Sequence, residues 1–202
     1  MASVAVLASG VGSNLQVLLD DPDIGSQVAL VVSDRPEAPA LERARGKGVK
    51  TVVLEPSGFE NRASYDAALA ALLEEEGTEI VVLAGFMRIL GPEFVRPFAG
   101  RILNLHPALL PSFPGAHGIA DALGWGVKVT GVTVHFVDEE VDHGPIIFQE
   151  AVPVLEGDME DTLAERIHEL EHRLLPAAVR AQAEGRLRID GRIVHVKEEG
   201  TK

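Results

Sequence analysis

The first nineteen residues narrow the fold more than any other stretch. Ser3 to Ala8 is a continuous apolar run of strand length, and Ser9-Gly10-Val11-Gly12-Ser13-Asn14 follows at once. Leu15, Leu18 and Leu19 then recur at helical spacing. A strand that is apolar at nearly every position is buried on both faces, as in parallel sheets covered by helices. Strand, glycine-rich turn and helix start in that order also form an anion cradle. Glycines let the backbone approach a ligand, and first-turn N–H groups point at it. The full Gly-x-Gly-x-x-Gly pattern is absent, because position 15 is Leu, and the Walker lysine motif is absent too. The turn therefore reads as a seat for one phosphate and not for a dinucleotide. An ordinary tight turn capped by Ser13 is the alternative.

The same alternation continues. Gln27 to Ser33, Thr51 to Leu54, Ile80 to Ala84 and Arg101 to Leu105 read as strands. Ala38 to Gly48 and Asn61 to Glu76 read as helices, and Pro92 opens a short one. This is the pattern of an open α/β sheet. Pro107 to Gly115 is too rich in proline for regular structure, and the long loop it opens, with Ala116 to Asp121, reads as a lid beside the site. His117 to Gly124 reads as a short helix. Val127 to Val137 and Ile146 to Val154 read as an antiparallel pair joined by the acidic turn Asp138 to Pro145. Asp158 to Glu184 is a long helix that Pro176 should kink or divide. Arg186 to Val196 reads as a terminal hairpin around Asp190-Gly191.

Composition bounds the partners. A length of 202 residues suits one domain over 1–202, and no linker or repeat divides it. The formal net charge of -13 argues against nucleic acid and anionic membrane surfaces as partners. An anionic small molecule remains compatible, held by local backbone donors. With no cysteine, disulfides and thiolate metal sites are excluded. The N-terminus has no basic region ahead of its apolar run, so it reads as a first strand and not as a signal peptide. No run approaches the ~18 apolar residues of a membrane span. The expected location is the cytoplasm.

The chemistry concentrates where Arg101 to Leu105 runs into Pro107. Asn104 and His106 lie two apart, so on a strand they share one face. Either they point together out of a sheet end as a reaction centre, or they satisfy each other or nearby backbone. Upstream, Gly85 to Pro92 is an apolar loop with one charge, Arg88. It reads either as core filling by Met87 and Ile89 or as a slot for a flat ligand. Downstream, Asp142 lies in the acidic turn. His117, His135 and His143 follow no metal-ligand spacing, and no serine sits in a nucleophile elbow. An Asn donor, a His acid or base and an Asp partner suit direct transfer of an acyl or formyl group to an amine. Asn104 and His106 would hold the oxyanion, and Asp142 would orient the imidazole and favour its cationic form.

Four segments occur in a telling order: Ser9 to Asn14, Leu83-Ala84-Gly85-Phe86-Met87-Arg88-Ile89-Leu90, Leu103-Asn104-Leu105-His106-Pro107 through Pro111, and Val134 to Val137 followed by Asp142-His143-Gly144-Pro145. In these the chain resembles the phosphoribosylglycinamide formyltransferases, the folate-dependent glycinamide ribonucleotide transformylases of the formyltransferase family. The resemblance runs from about Val4 to Pro176. It implies a Rossmann-like, open, mostly parallel twisted α/β sheet of about seven strands with flanking helices. The N-terminal half would bind the nucleotide phosphate, and the C-terminal half would bind folate and carry the catalysis. The implied reaction moves the formyl group of 10-formyltetrahydrofolate, a co-substrate, to glycinamide ribonucleotide, with no metal. Asn104, His106 and Asp142 match the catalytic trio. Gly12, Ser13 and Asn14 match the phosphate loop, and Glu171 matches an acidic residue on the ribose hydroxyls. Met87, Arg88, Ile89, Leu90 and Val141 match the folate pocket. His168 departs from the longer side chains of some relatives and reads as surface. Taken alone, Glu171 would be a solvated carboxylate. Small-molecule substrates are the expected partners, and the chain would act as a monomer or homodimer. Formyltetrahydrofolate hydrolase is the alternative within the family. It usually carries a further N-terminal domain, and methionyl-tRNA formyltransferase carries a larger C-terminal one. A non-catalytic nucleotide- or folate-binding protein would be expected to have lost part of the trio, which is intact.

Overall fold

The computed structural model describes residues 1–198, so the last four residues of the expected 1–202 domain lie outside the described residues. By internal contact the chain divides into two compact units, Met1–Leu103 and one beginning at Asn104.

The first unit alternates strand and helix. Its elements are β1 (Val4–Leu7), α1 (Ser13–Asp20), β2 (Val28–Ser33), α2 (Pro39–Gly46), β3 (Lys50–Val53), α3 (Arg62–Glu75), β4 (Ile80–Leu83) and α4 (Pro92–Val95). β1 lies between β2 and β4, and β3 flanks β2, all in parallel pairing. All four residues of β1 are fully buried, as are Val31, Val32, Val81 and Val82. That burial on both faces is why these strands show no polar alternation in sequence. Leu15 and Leu18 of α1, Leu41 of α2 and Leu69 and Leu73 of α3 complete this core.

Helix α3 begins where its cap dictates. Asn61 Oδ1 accepts the Ser64 N–H at 2.9 Å, and Ser64 Oγ accepts the Asn61 N–H at 3.3 Å. Two first-turn donors that helix geometry would leave unpaired are thereby satisfied. Asn61→Ala should cost about 1 kcal/mol. A urea unfolding midpoint equal to that of the parent chain would show that this cap contributes nothing.

β5 (Ile102–His106) carries the chain from the first unit into the second. There follow α5 (Gly118–Trp125), β6 (Val129–Phe136), β7 (Ile146–Pro153), α6 (Glu160–Ala183), β8 (Leu187–Asp190) and β9 (Ile193–Val196). β6 and β7 pair antiparallel, as expected, with an irregularity between Val134 and His135. β8 and β9 form the expected hairpin, and β9 joins β7 in parallel through Ile146 and Ile193. The described residues thus hold nine strands against about seven expected, and the addition is this hairpin. The pairings remain mostly parallel, so the α/β reading stands. Helix α6 packs on β6 and β7. Pro176 does not divide it: the helix runs unbroken across the proline, which is buried among Leu174, Leu175, Ala178 and Val179. Tertiary packing of that face outweighs the lost backbone bond.

Candidate active site

Asn104 and His106, at the end of β5, do not satisfy each other. Both turn toward Asp142. Asn104 Nδ2 lies 3.3 Å from Asp142 Oδ1, and His106 Nδ1 lies 3.4 Å from Asp142 Oδ2. The trio read from the sequence therefore meets, entirely within the second unit. A fourth side chain joins it. His135, fully enclosed on β6, places Nε2 3.2 Å from Asn104 Nδ2 and Nδ1 2.7 Å from the Phe136 carbonyl. A carbonyl can only accept, so Nδ1 carries the proton and Nε2 accepts from Asn104. The Asn104 amide is thus held between an imidazole and a carboxylate.

The proline-rich segment closes over these groups. His106 Nε2 donates to the Phe113 carbonyl at 2.7 Å, and the Gly115 N–H donates to Asp142 Oδ2 at 2.7 Å. Thr133 on β6 anchors its start, giving its hydroxyl proton to the Ala108 carbonyl at 2.6 Å and accepting the Leu110 N–H at 3.1 Å. Gln149 Nε2 donates to the Leu110 carbonyl at 2.9 Å. A stretch without helix or strand pairing thus has its polar backbone satisfied by side chains of β6 and β7.

Charge follows from burial. His106 is only 3% exposed, and burial pulls its pKa below the ordinary 6.5. Asp142 opposes that pull, as anticipated from the sequence, but the net direction is down. The imidazole is therefore neutral at pH 7, with Nε2–H as its donor, and the 3.4 Å contact to Asp142 is not an ion pair there. For Asp142 itself burial pushes the carboxyl up. The His135 ring, the Gly115 N–H and the His106 imidazole together pull it below 3.8. Of these the Gly115 N–H is the close one, since the His135 ring stands off at 3.7 Å.

Both shifts act on stability with the same sign. A group whose folded pKa is depressed binds its proton more readily unfolded, so acid favours unfolding. The His106 contribution is complete above pH 6.5 and lost as pH falls through its lowered value. That of Asp142 is complete above 3.8 and lost below. His106→Gln should flatten the fall in urea midpoint between pH 6.5 and 5. An unchanged slope would place the dependence on other groups, such as His172, which burial shifts the same way.

The remaining candidates lie on other elements. In the first unit, Gly12 precedes α1 with φ +76°, and a Cβ there would meet Ala40 Cβ at 2.8 Å. Ser13 opens the helix itself and is not its cap. Arg43 of α2 secures the turn, its Nε donating to the Val11 carbonyl at 2.8 Å. This brings a cation beside the turn from a separate helix. Met87 and Ile89 are 66% and 60% exposed, so they do not fill the core, whereas Phe86 and Leu90 are buried. The 85–91 loop is pinned at both ends. Ser9 Oγ accepts the Met87 N–H at 2.9 Å, and the buried Asp66 Oδ2 accepts the Gly91 N–H at 2.8 Å. Between them the Arg88 guanidinium stacks over the Tyr65 ring, 4.9 Å from its centroid. In the second unit, Val141 is half exposed beside Asp142. Glu171 is not a solvated carboxylate but only 5% exposed on α6, with His168 Nε2 at 3.9 Å. The His168 side chain is half exposed, as expected.

Residues 2–179 match the family model described as Formyl transferase. The chain belongs to the formyl transferase family. Among relatives, it is 50% identical to the phosphoribosylglycinamide formyltransferase of Mycobacterium tuberculosis, over 95% of this chain and 89% of that protein. It is 47% identical to the trifunctional purine biosynthetic protein adenosine-3 of Homo sapiens over 98% of this chain, which spans only 20% of that longer protein. Among solved structures, glycinamide ribonucleotide transformylase 1 from Symbiobacterium toebii aligns with a TM-score of 0.95 at 49% identity, covering 98% of this chain and 95% of that one. The formyl transferase resemblance read from four motifs is thus borne out, and so is the α/β fold. Histidine spacing alone does not single out His135, and no motif marks the anchoring role of Thr133. The available signal was their alternation with buried Val132, Val134 and Phe136. Two polar residues on one face of such a strand must find partners. No described helix is long and apolar enough to cross a membrane.

Proposed function

We propose that the chain transfers the formyl group of 10-formyltetrahydrofolate to the amine of glycinamide ribonucleotide, yielding formylglycinamide ribonucleotide and tetrahydrofolate, in de novo purine biosynthesis. The observation that carries the reading is the meeting of Asn104, His106 and Asp142 in a chain of the formyl transferase family. The amine attacks the formyl carbon, and the carbonyl electrons move to oxygen. An Asn104 amide N–H and the His106 Nε2–H, both given to protein acceptors in the chain as described, turn to that oxyanion. Asp142, held ionised by its donors, accepts the proton that the amine sheds, directly or through water. Collapse of the intermediate expels the folate nitrogen, which takes a proton as it leaves.

The other assignments are proposals of the same reading. Gly12, Ser13 and Asn14 take the phosphate through backbone N–H groups, and Glu171 takes the ribose hydroxyls. Met87, Arg88, Ile89, Leu90 and Val141 line the folate site, where pinned backbone reads the pterin ring. Arg88 is already stacked on Tyr65, which favours a role through its backbone. Both units serve one reaction, in a cytoplasmic monomer or homodimer, without a metal. The test is direct: purified chain and 10-formyltetrahydrofolate, with and without glycinamide ribonucleotide, products identified by mass. Formylated ribonucleotide that forms only when the amine is present is the expected result. Release of formate at the same rate without the amine would replace transfer by hydrolysis.

A further inference from the structure

The turn that carries Asp142 is held in a costly shape. Asp142 adopts φ +51°, a left-handed conformation that is unfavourable for a non-glycine residue. Part of the restraint comes from within the turn. Asp138 Oδ1 accepts the Glu140 N–H at 3.0 Å, and Asp138 Oδ2 accepts from His143 Nδ1 at 2.8 Å. The rest comes from the terminal hairpin. Arg192 stands at the β8–β9 bend, beside Ile193, which pairs with Ile146 at the start of β7. Its guanidinium holds the residue next to Asp142 in two ways, one nitrogen donating to the His143 carbonyl at 2.6 Å and the other lying over the imidazole, 3.0 Å from Nε2 and 3.4 Å from Nδ1. The Asp138 carboxylate accepts, so His143 Nδ1 carries the proton that it gives there. Arg192, His143 and Asp138 are therefore linked in series beside the backbone of Asp142.

We propose that Arg192 is a positioning residue for Asp142. By clamping His143 from the hairpin, it keeps the 138–144 turn in the conformation that presents the Asp142 carboxylate to Asn104 and His106. This rests on the reading of Asp142 as the proton acceptor in formyl transfer. Arg192 itself touches none of Asn104, His106 or Asp142 in the contacts above, and its side chain is exposed, so a local loss should leave the fold intact.

The experiment compares the parent chain with Arg192→Ala and Arg192→Lys. It measures kcat and KM for both substrates, thermal unfolding, and the NMR titration of the His106 imidazole. Three groups face that ring: Asp142, which raises its pKa, the Phe113 carbonyl, which also raises it, and His135, which lowers it. Arg192→Ala should lower kcat about tenfold, the scale of a small misplacement of a reacting group, with KM within about twofold. The His106 midpoint should move further down as the carboxylate drifts away. Arg192→Lys can keep the bond to the His143 carbonyl but not the guanidinium contact with the imidazole, so it should recover part of both readouts. An unchanged kcat with an unchanged His106 midpoint would overturn the proposal, as would a kcat loss in folded Arg192→Ala with the His106 midpoint unmoved. Should Arg192→Ala fail to fold, Arg192→Lys decides by the same two readouts. If the parent chain transfers no formyl group, the functional reading fails, and the His106 midpoint still reports on the clamp.

Discussion

Asp142→Asn is expected to lower kcat by roughly two to four orders of magnitude while leaving substrate binding largely intact, the range over which a positioned acid or base contributes. The substitution removes more than a proton acceptor. The two carboxylate oxygens serve two donors from opposite sides, Asn104 Nδ2 at Oδ1 and the Gly115 N–H at Oδ2. An amide offers one acceptor oxygen and one NH2 group, so it can meet only one of them. Keeping the shorter bond to Gly115 sets the new NH2 against the Asn104 NH2, and that donor clash turns the Asn104 amide away. His106 loses the negative charge that raises its pKa, so its midpoint should fall as well. Steady-state kinetics with both substrates varied would show the loss in kcat. A turnover within about threefold of the parent would remove Asp142 from the mechanism.

Gly144→Ala is expected to destabilise the fold by about 3 kcal/mol or more, the range of severe overpacking against backbone. A Cβ at this position would lie 1.8 Å from the Phe136 carbonyl oxygen and 2.8 Å from its carbon. No rotamer relieves that contact, because both atoms are main chain. The Phe136 N–H in turn donates to the Pro145 carbonyl at 2.9 Å, so the end of β6 and the turn are laced together there. Pushing them apart moves His135, one residue away, and the turn that carries Asp142. Gly124→Ala in α5 is the control, since nothing lies within 4 Å of a Cβ built there. A helical Gly-to-Ala change at an open site should be neutral or stabilising by up to ~1 kcal/mol. Equal unfolding midpoints for the two variants would show that the turn yields without cost.

Much of the framework was legible because its signals are local. β1 and β4 announce themselves by being apolar at every position, which only double burial requires. The start of α3 is fixed by Asn61 and Ser64, three apart. The Asp190-Gly191 hairpin needs no information beyond its own residues. What escaped the sequence depends on distant partners. Asn104 and His135 are 31 positions apart, and no spacing rule joins an amide on one strand to an imidazole on another. The order of Phe113 to Gly115 comes from His106 and Asp142, so the segment reads as irregular when its own composition is all one has. The neutrality of His106 is likewise a matter of enclosure. A carboxylate neighbour predicts a raised pKa, and only the burial of the ring shows why the balance tips down. Pro176 misleads for a related reason: intrinsic helix cost is visible in sequence, whereas the buried face that offsets it is not.

Ser9 has a consequence for anyone who recombines members of this family. Its N–H donates to the Gly85 carbonyl at 3.1 Å while its hydroxyl accepts from Met87. The turn after β1 and the loop after β4 are therefore stitched together by one small residue that belongs to neither ligand contact set. A graft that exchanges 85–91 takes this loop away from the hydroxyl that holds its start. Chimaeras should respect that seam: the two segments travel as a single cassette, and a crossover placed between them separates a stitch from the cloth it holds.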